Sequence, residues 1–215
     1  MIHDALIIDR LSSAIGTDAS PLFDVINQRG VIYGGFILHC LGIAPTSDID
    51  VACNSKEDMQ AILNAAVITS PFVELGHIAN YFNGAVHVTT QCAIFPTGFK
   101  MDLTYVLYKD LHDFVEGLDM DYISAAYHQS KFARVEGYGE VLINRQCRHG
   151  RFTCHARIAK ALSKGFQVGP IQPRPCVIKP PTITLGLANF TIVEPIQSAK
   201  EWYSISEWPE IASWN

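Results

Sequence analysis

The sequence predicts an α/β fold: a mixed sheet flanked by helices, with strand and helix additions in its C-terminal half. Three observations point there. Helical stripes alternate with short β-branched runs through residues 19–69. Two β-rich segments, 84–95 and 99–107, are joined by the turn Pro96-Thr97-Gly98. Apolar residues make up 48% of the 215, enough for a sizeable core in one domain.

Each element has a local cause. Residues 19–28, ASPLFDVINQ, predict a helix, because Pro21 suits an early helical position and Leu22, Val25 and Ile26 form an i, i+3, i+4 stripe. Gly30 stops it. Residues 31–33 predict a short strand ending at Gly34-Gly35, and 36–42 a short helix. Pro45-Thr46-Ser47 is a turn before a strand at 49–53. Ser55 then caps a helix with Glu57 and Asp58 in its first turn and Met59, Ile62, Leu63 and Ala66 on its apolar side. The segments 84–95 and 99–107 are expected to pair antiparallel. Further on, 118–128 predicts another strand, and 155–166 a helix with Arg157, Lys160 and Lys164 on a basic face, ending at Gly165. Five prolines within 169–182 mark a linker or edge segment, and Trp202, Trp208 and Trp214 are expected to pin the tail onto the domain. The organisation expected is a core over 1–110, with 111–215 framing a cleft in the same compact unit.

Composition narrows the function. A charged fraction of 17% and a net charge of −5 argue against strong general affinity for nucleic acid, which relies on clustered Lys and Arg. There is no DNA-specific signature. The segment MIHDALIIDRLSSAIG carries acids where a signal peptide is basic, and no run approaches the ~20 apolar residues of a membrane span. Six scattered cysteines in such a chain read as reduced thiols of a cytoplasmic protein; Cys40, Cys53 and Cys92 have apolar neighbours and are expected to pack as small hydrophobes.

The stretch VIYGGFILHCLGIAPTSDIDVAC carries the chemistry. Residues i and i+2 of a strand share a face, so Asp48 and Asp50 point one way while Ile49 and Val51 turn into the core. Two adjacent carboxylates disfavour joint ionisation, a penalty that a hard divalent cation reverses. Asp102, in FKMDLTYV, is an acid in a neighbouring β-forming run and a third candidate ligand. Three acids suit two Mg2+ ions, with Mn2+ an alternative: one to activate a hydroxyl, one to hold a triphosphate. Gly34 and Gly35 suit a strand-to-helix turn whose backbone N–H groups approach phosphate, and Ser47 is a further phosphate donor.

This succession resembles the nucleotidyltransferase superfamily with the DNA polymerase β-type fold. It is especially similar to CCA-adding tRNA nucleotidyltransferases and poly(A) polymerases over roughly residues 20–107. The resemblance implies a nucleotidyltransferase-type mixed sheet, with Gly34 and Gly35 on the triphosphate and Asp48, Asp50 and Asp102 on catalytic Mg2+. It implies an NTP substrate, ATP included, and transfer of a nucleoside monophosphate to a hydroxyl on RNA, a small molecule or a protein. CCA-adding enzymes carry Arg-Asp shortly after the glycines, whereas this chain reads Ile37-Leu38-His39, and no counterpart of their nucleotide-selecting motif is found. The acceptor therefore stays open. Residues 113–166 loosely resemble nucleotidyltransferase-like proteins of phages and large viruses.

Other readings stand beside it. One is a non-catalytic binding module, viral or regulatory, that keeps the fold for a nucleotide or a protein. Another is a metal-dependent phosphatase or nuclease. Asp119 and Asp121 follow an acidic stretch and read as surface or turn residues. Cys147, His149, Cys154 and His155 crowd one short loop, poor spacing for zinc. The basic stretch from Arg145 to Lys164 is either a solvated face or a cradle for triphosphate or RNA. His87 reads as a packing residue.

Overall fold

The computed structural model describes residues 2–82, 86–148, 155–168, 184–185 and 190–191. Helix α1 (Asp4–Ile15) starts at His3, whose ring nitrogen accepts the Leu6 N–H, and buries Ile7, Leu11, Ala14 and Ile15 on one stripe. Helix α2 (Ser20–Arg29) has proline in its first turn and buries Leu22, Phe23 and Ile26. Strand β1 (Gly30–Tyr33) follows directly, then α3 (Gly35–Cys40), β2 (Asp48–Cys53) and α4 (Lys56–Thr69). The Ser55 hydroxyl accepts the Asp58 N–H at 3.0 Å and so caps α4, as expected.

Strands β3 (Glu74–Phe82), β4 (Val86–Ile94) and β5 (Lys100–Tyr105) form an antiparallel run. Then come α5 (Leu111–Glu116), β6 (Ala125–His128), β7 (Lys131–Arg134), α6 (Tyr138–Asn144), β8 (Gln146–Cys147), α7 (His155–Ser163) and β9 (Gln167–Val168). One seven-stranded sheet has the order β3-β4-β5-β2-β1-β6-β7. Only its central pair, β2 with β5, is parallel. This is the mixed α/β architecture that the sequence predicts. Strands β6 and β7 extend the same sheet past β1, so the chain beyond residue 110 contributes to the sheet as well as to its surroundings.

The central strands have two unlike faces. Ile49, Val51, Met101 and Leu103 are fully buried and build the core that α2 and α4 cover. Asp48, Asp50, Lys100 and Asp102 occupy the other face. The thiols behave as the sequence suggests: Cys40, Cys53 and Cys92 are buried, and burial pushes Cys40 and Cys53 up to about 12.

Several elements carry no clear local signal. Helix α6 and strands β3 and β7 fall in this group. Strand β3 mixes Glu74, Gly76, His77 and Asn80 without alternation and exists through its nine-residue register with β4. The β6–β7 hairpin turns on Gln129 and Ser130, both at positive φ, instead of on glycine. The strand expected over 118–128 is shorter. Asp121–Ile123 forms a tight helical turn first, because the Ser124 hydroxyl donates to the Met120 carbonyl and Asp121 is drawn inward. The proline segment, the tryptophans, His149, Cys154 and the His87 side chain lie outside the described residues. Among those described, no helix is long and apolar enough to cross a membrane.

Candidate active site

The parallel register sets the site. Asp48 stands opposite Lys100, and Asp50 opposite Asp102, on two neighbouring strands. Paired residues share a face, so the three candidate acids come together on one side of the sheet. Lys100 comes with them, two residues ahead of Asp102 and on its face. Its Nζ lies 2.9 Å from Asp102 Oδ2 and 3.8 Å from Asp48 Oδ1. No motif singles out Lys100, although the two-residue spacing that relates Asp48 to Asp50 also relates it to Asp102.

The glycine turn borders the acids. Gly34 sits at φ 70°, ψ −133°, a conformation essentially confined to glycine. A Cβ there would lie 3.1 Å from Asp50 Oδ2. A Cβ on Gly35 would lie 3.1 Å from Lys164 Nζ and 3.3 Å from Thr46 Oγ1. The turn thus lets backbone approach a carboxylate on one side and an ammonium on the other. Ser47 is exposed, and its carbonyl accepts the Lys100 N–H at 3.0 Å. Thr46, which no motif singled out, lies beside Gly35; its hydroxyl accepts the Asp48 N–H at 3.2 Å.

The basic helix α7 brings its side chains to the acids. Lys160 Nζ is 3.6 Å from Asp48 Oδ2. Lys164, just past the helix, has a buried Nζ with no hydrogen-bond partner among the described residues. Arg157 donates to both oxygens of Asp119, at 3.0 and 2.7 Å. Arg145 is structural: it donates to the Ile43 carbonyl at 3.0 Å and stacks over Phe166.

Asp119 and Asp121 are not the surface residues that the acidic stretch suggested. Asp121 is fully buried and accepts from the Arg148 N–H at 2.9 Å and Nε at 3.1 Å. Asp119 keeps 15% of its side-chain exposure. Their partners lie 27 and 38 residues on, too far for local patterning to pair them.

Electrostatics follow from this crowding. Burial pushes Asp50 up to about 6, with Lys160 and Arg157 opposing and the charges of Asp102 and Asp48 adding. Burial also raises Asp102, against the hydrogen bond and charge of Lys100. Burial and the neighbouring Lys160 charge lower the Lys164 ammonium. Burial holds the Tyr33 phenol well above its usual range, and Asp50 adds to that.

Among the described residues, no group of three or more His, Cys, Asp or Glu side chains is set to hold a metal ion as it stands. Lys100 and Lys160 already engage the Asp48 and Asp102 oxygens. The donor chemistry nevertheless fits a hard divalent cation. The donors are all carboxylate oxygens, and Asp102 Oδ1 is buried without any hydrogen-bond partner among the described residues.

The helix-flanked mixed sheet shares its fold with solved CCA-adding enzymes. The chain is similar to the Thermotoga maritima CCA-adding enzyme complexed with tRNA, at 14% identity and a TM-score of 0.50, over 77% of this chain and 42% of that one. It is similar to an apo form of a CCA-adding enzyme at 15% identity and a TM-score of 0.51, over 78% and 42%. A CCA-adding enzyme in complex with CTP matches at 14% and 0.50, over 77% and 43%. At this identity the likeness is one of fold, and the chain spans less than half the length of these enzymes. No protein-family profile and no curated protein matches the sequence.

Proposed function

We propose that the chain is a nucleotidyltransferase, moving a nucleoside monophosphate from an NTP to a hydroxyl acceptor with release of pyrophosphate. The observation that carries this reading is Asp50 opposite Asp102 in the parallel ladder, beside a glycine turn faced by a Lys164 ammonium that has no hydrogen-bond partner among the described residues. A buried cation without a partner is costly, and a phosphate supplies the missing acceptors. Gly34, Gly35 and Ser47 hold phosphates with it, and α7 and the segments around it frame the cleft over the 1–110 core. A fold neighbour that holds CTP supports an NTP as the ligand.

Asp48, Asp50 and Asp102 would hold the divalent cations, Mg2+ or Mn2+, which supply Lewis-acid stabilisation of the reacting phosphate. Asp102 Oδ1 is buried without a hydrogen-bond partner among the described residues, and it would take the acceptor hydroxyl's proton. Lys164 and Lys160 offset the negative charge of the triphosphate and orient it against the turn. The acceptor is a hydroxyl on RNA, a small molecule or a protein.

Incubation with labelled NTPs, Mg2+ and candidate acceptors tests the reading. Pyrophosphate release that Asp50→Ala abolishes supports it; nucleotide hydrolysis without any acceptor indicates a phosphatase instead. One observation favours a second reading, a binding module without catalysis: two lysines already neutralise Asp48 and Asp102. Nucleotide binding indifferent to Mg2+ and to Asp50→Ala would decide for it.

A further inference from the structure

Lys100 occupies the place between two of the acids. It enters β5 on the face that carries Asp102 and stands opposite Asp48 in the register. Its ammonium lies 2.9 Å from Asp102 Oδ2 and within 3.8 Å of Asp48 Oδ1, so it engages one oxygen of each carboxylate. Lys160 reaches the other Asp48 oxygen, Oδ2, at 3.6 Å. Only Asp102 Oδ1 is left buried and without a partner among these oxygens of the pair. Lys100 nevertheless keeps 30% of its side chain exposed. A flexible four-carbon stem with access to water can withdraw its ammonium, whereas the strand-borne carboxylates stay in place.

We propose that Lys100 is a resident counter-ion that shares Asp48 and Asp102 with a divalent cation. It must swing out for the cation to bind, and so it sets the cation concentration at which the site loads. The inference rests on the nucleotidyltransferase reading in taking these acids as cation ligands. The physical logic is exchange. In the free protein, one ammonium relieves the repulsion between carboxylates on adjacent strands. A divalent cation replaces it with twice the charge, but only after the Lys100 contacts are broken and the ammonium is returned to water. Lys160 stays at the far oxygen of Asp48 and is not in the way of Asp102.

The test uses Mn2+ alone, with no nucleotide, on the full chain. Binding is followed by the loss of the free-ion paramagnetic resonance signal and by calorimetry. Lys100→Met and Lys100→Gln remove the charge, and their thermal melts verify folding. Lys100→Arg keeps it. Lys131→Met removes the same charge from the exposed edge strand β7, away from the acids. Expected is at least roughly tenfold tighter Mn2+ binding by both neutral variants, with Lys100→Arg and Lys131→Met at wild-type affinity or weaker. Wild-type affinity in both neutral variants overturns the inference and leaves the acids standing as cation ligands. So does equal tightening by Lys131→Met, which reports bulk charge. Binding by none of the proteins overturns this inference and the cation part of the proposed function together.

Discussion

The Arg157 guanidinium grips both oxygens of Asp119, and through it α7 is fastened over the acidic face of the sheet. The pair is partly exposed, with 38% of the Arg157 side chain accessible. Its hydrogen bonds are bidentate and charge-assisted, the stronger class of such contacts. Asp119→Ala is expected to cost about 1–3 kcal/mol of stability in urea unfolding. It should also raise the KM for NTP, because Lys160 and Lys164 lose their register over the turn. Arg157→Lys should reproduce much of the loss, since an ammonium cannot make the fork. An unchanged KM in both variants would show that α7 is held by other contacts.

The two glycines of the turn are expected to respond differently. Gly34→Ala forces a side chain into a strained backbone region and within 3.1 Å of Asp50 Oδ2, on a rigid strand. It should lower stability by about 1–3 kcal/mol and abolish turnover. A Gly35 Cβ would meet the far end of Lys164, which can move, at 3.1 Å, and only more loosely the Thr46 hydroxyl, at 3.3 Å. Gly35→Ala should leave the melting temperature nearly unchanged and weaken nucleotide binding. Equal destabilisation by both would contradict this geometry.

The pH dependence has a definite sign. Burial raises Asp50 to about 6, above its usual value of 3.8, so the folded state holds its proton more tightly than the unfolded state. Between these values the folded chain binds more protons, and stability falls as pH rises. The charged Asp50 therefore costs about 2–3 kcal/mol near neutrality. Asp50→Asn should be the more stable protein at pH 7, with the gap closing as pH falls toward 4, measured by denaturant unfolding across that range. A gap independent of pH would exclude Asp50 as its source.

Lys164 should show opposite effects on stability and binding. Its buried ammonium lacks a hydrogen-bond partner among the described residues, so Lys164→Met is expected to stabilise the free protein by about 1 kcal/mol. The same change should weaken NTP binding by about tenfold or more, through the lost charge-assisted phosphate contact. Thermal melts and nucleotide titration measure the two. Loss of stability together with unchanged binding would make Lys164 a packing residue.

Much of this molecule is legible from local pattern. Alternation in Asp48–Cys53 puts two acids on one face and Ile49 and Val51 on the other. The Ser55 cap, the α2 stripe and the position of Gly34-Gly35 need only short-range sterics and hydrogen bonding. Strand β3, the β6–β7 hairpin and the pairs Asp119–Arg157 and Asp121–Arg148 were not legible, because their partners are distant in sequence or their turns use ordinary residues.

By itself the sequence determined an α/β chain with a glycine turn and two carboxylates sharing a strand face, since the two-residue period of a strand is a local property. Only the tertiary structure decided that β5 runs parallel to β2 in the register that sets Asp102 against Asp50 and Lys100 against Asp48, and that α7 lays Lys160 and Lys164 over them. Register and helix docking depend on which distant surfaces bury each other, and no short window of residues contains both sides of that contact.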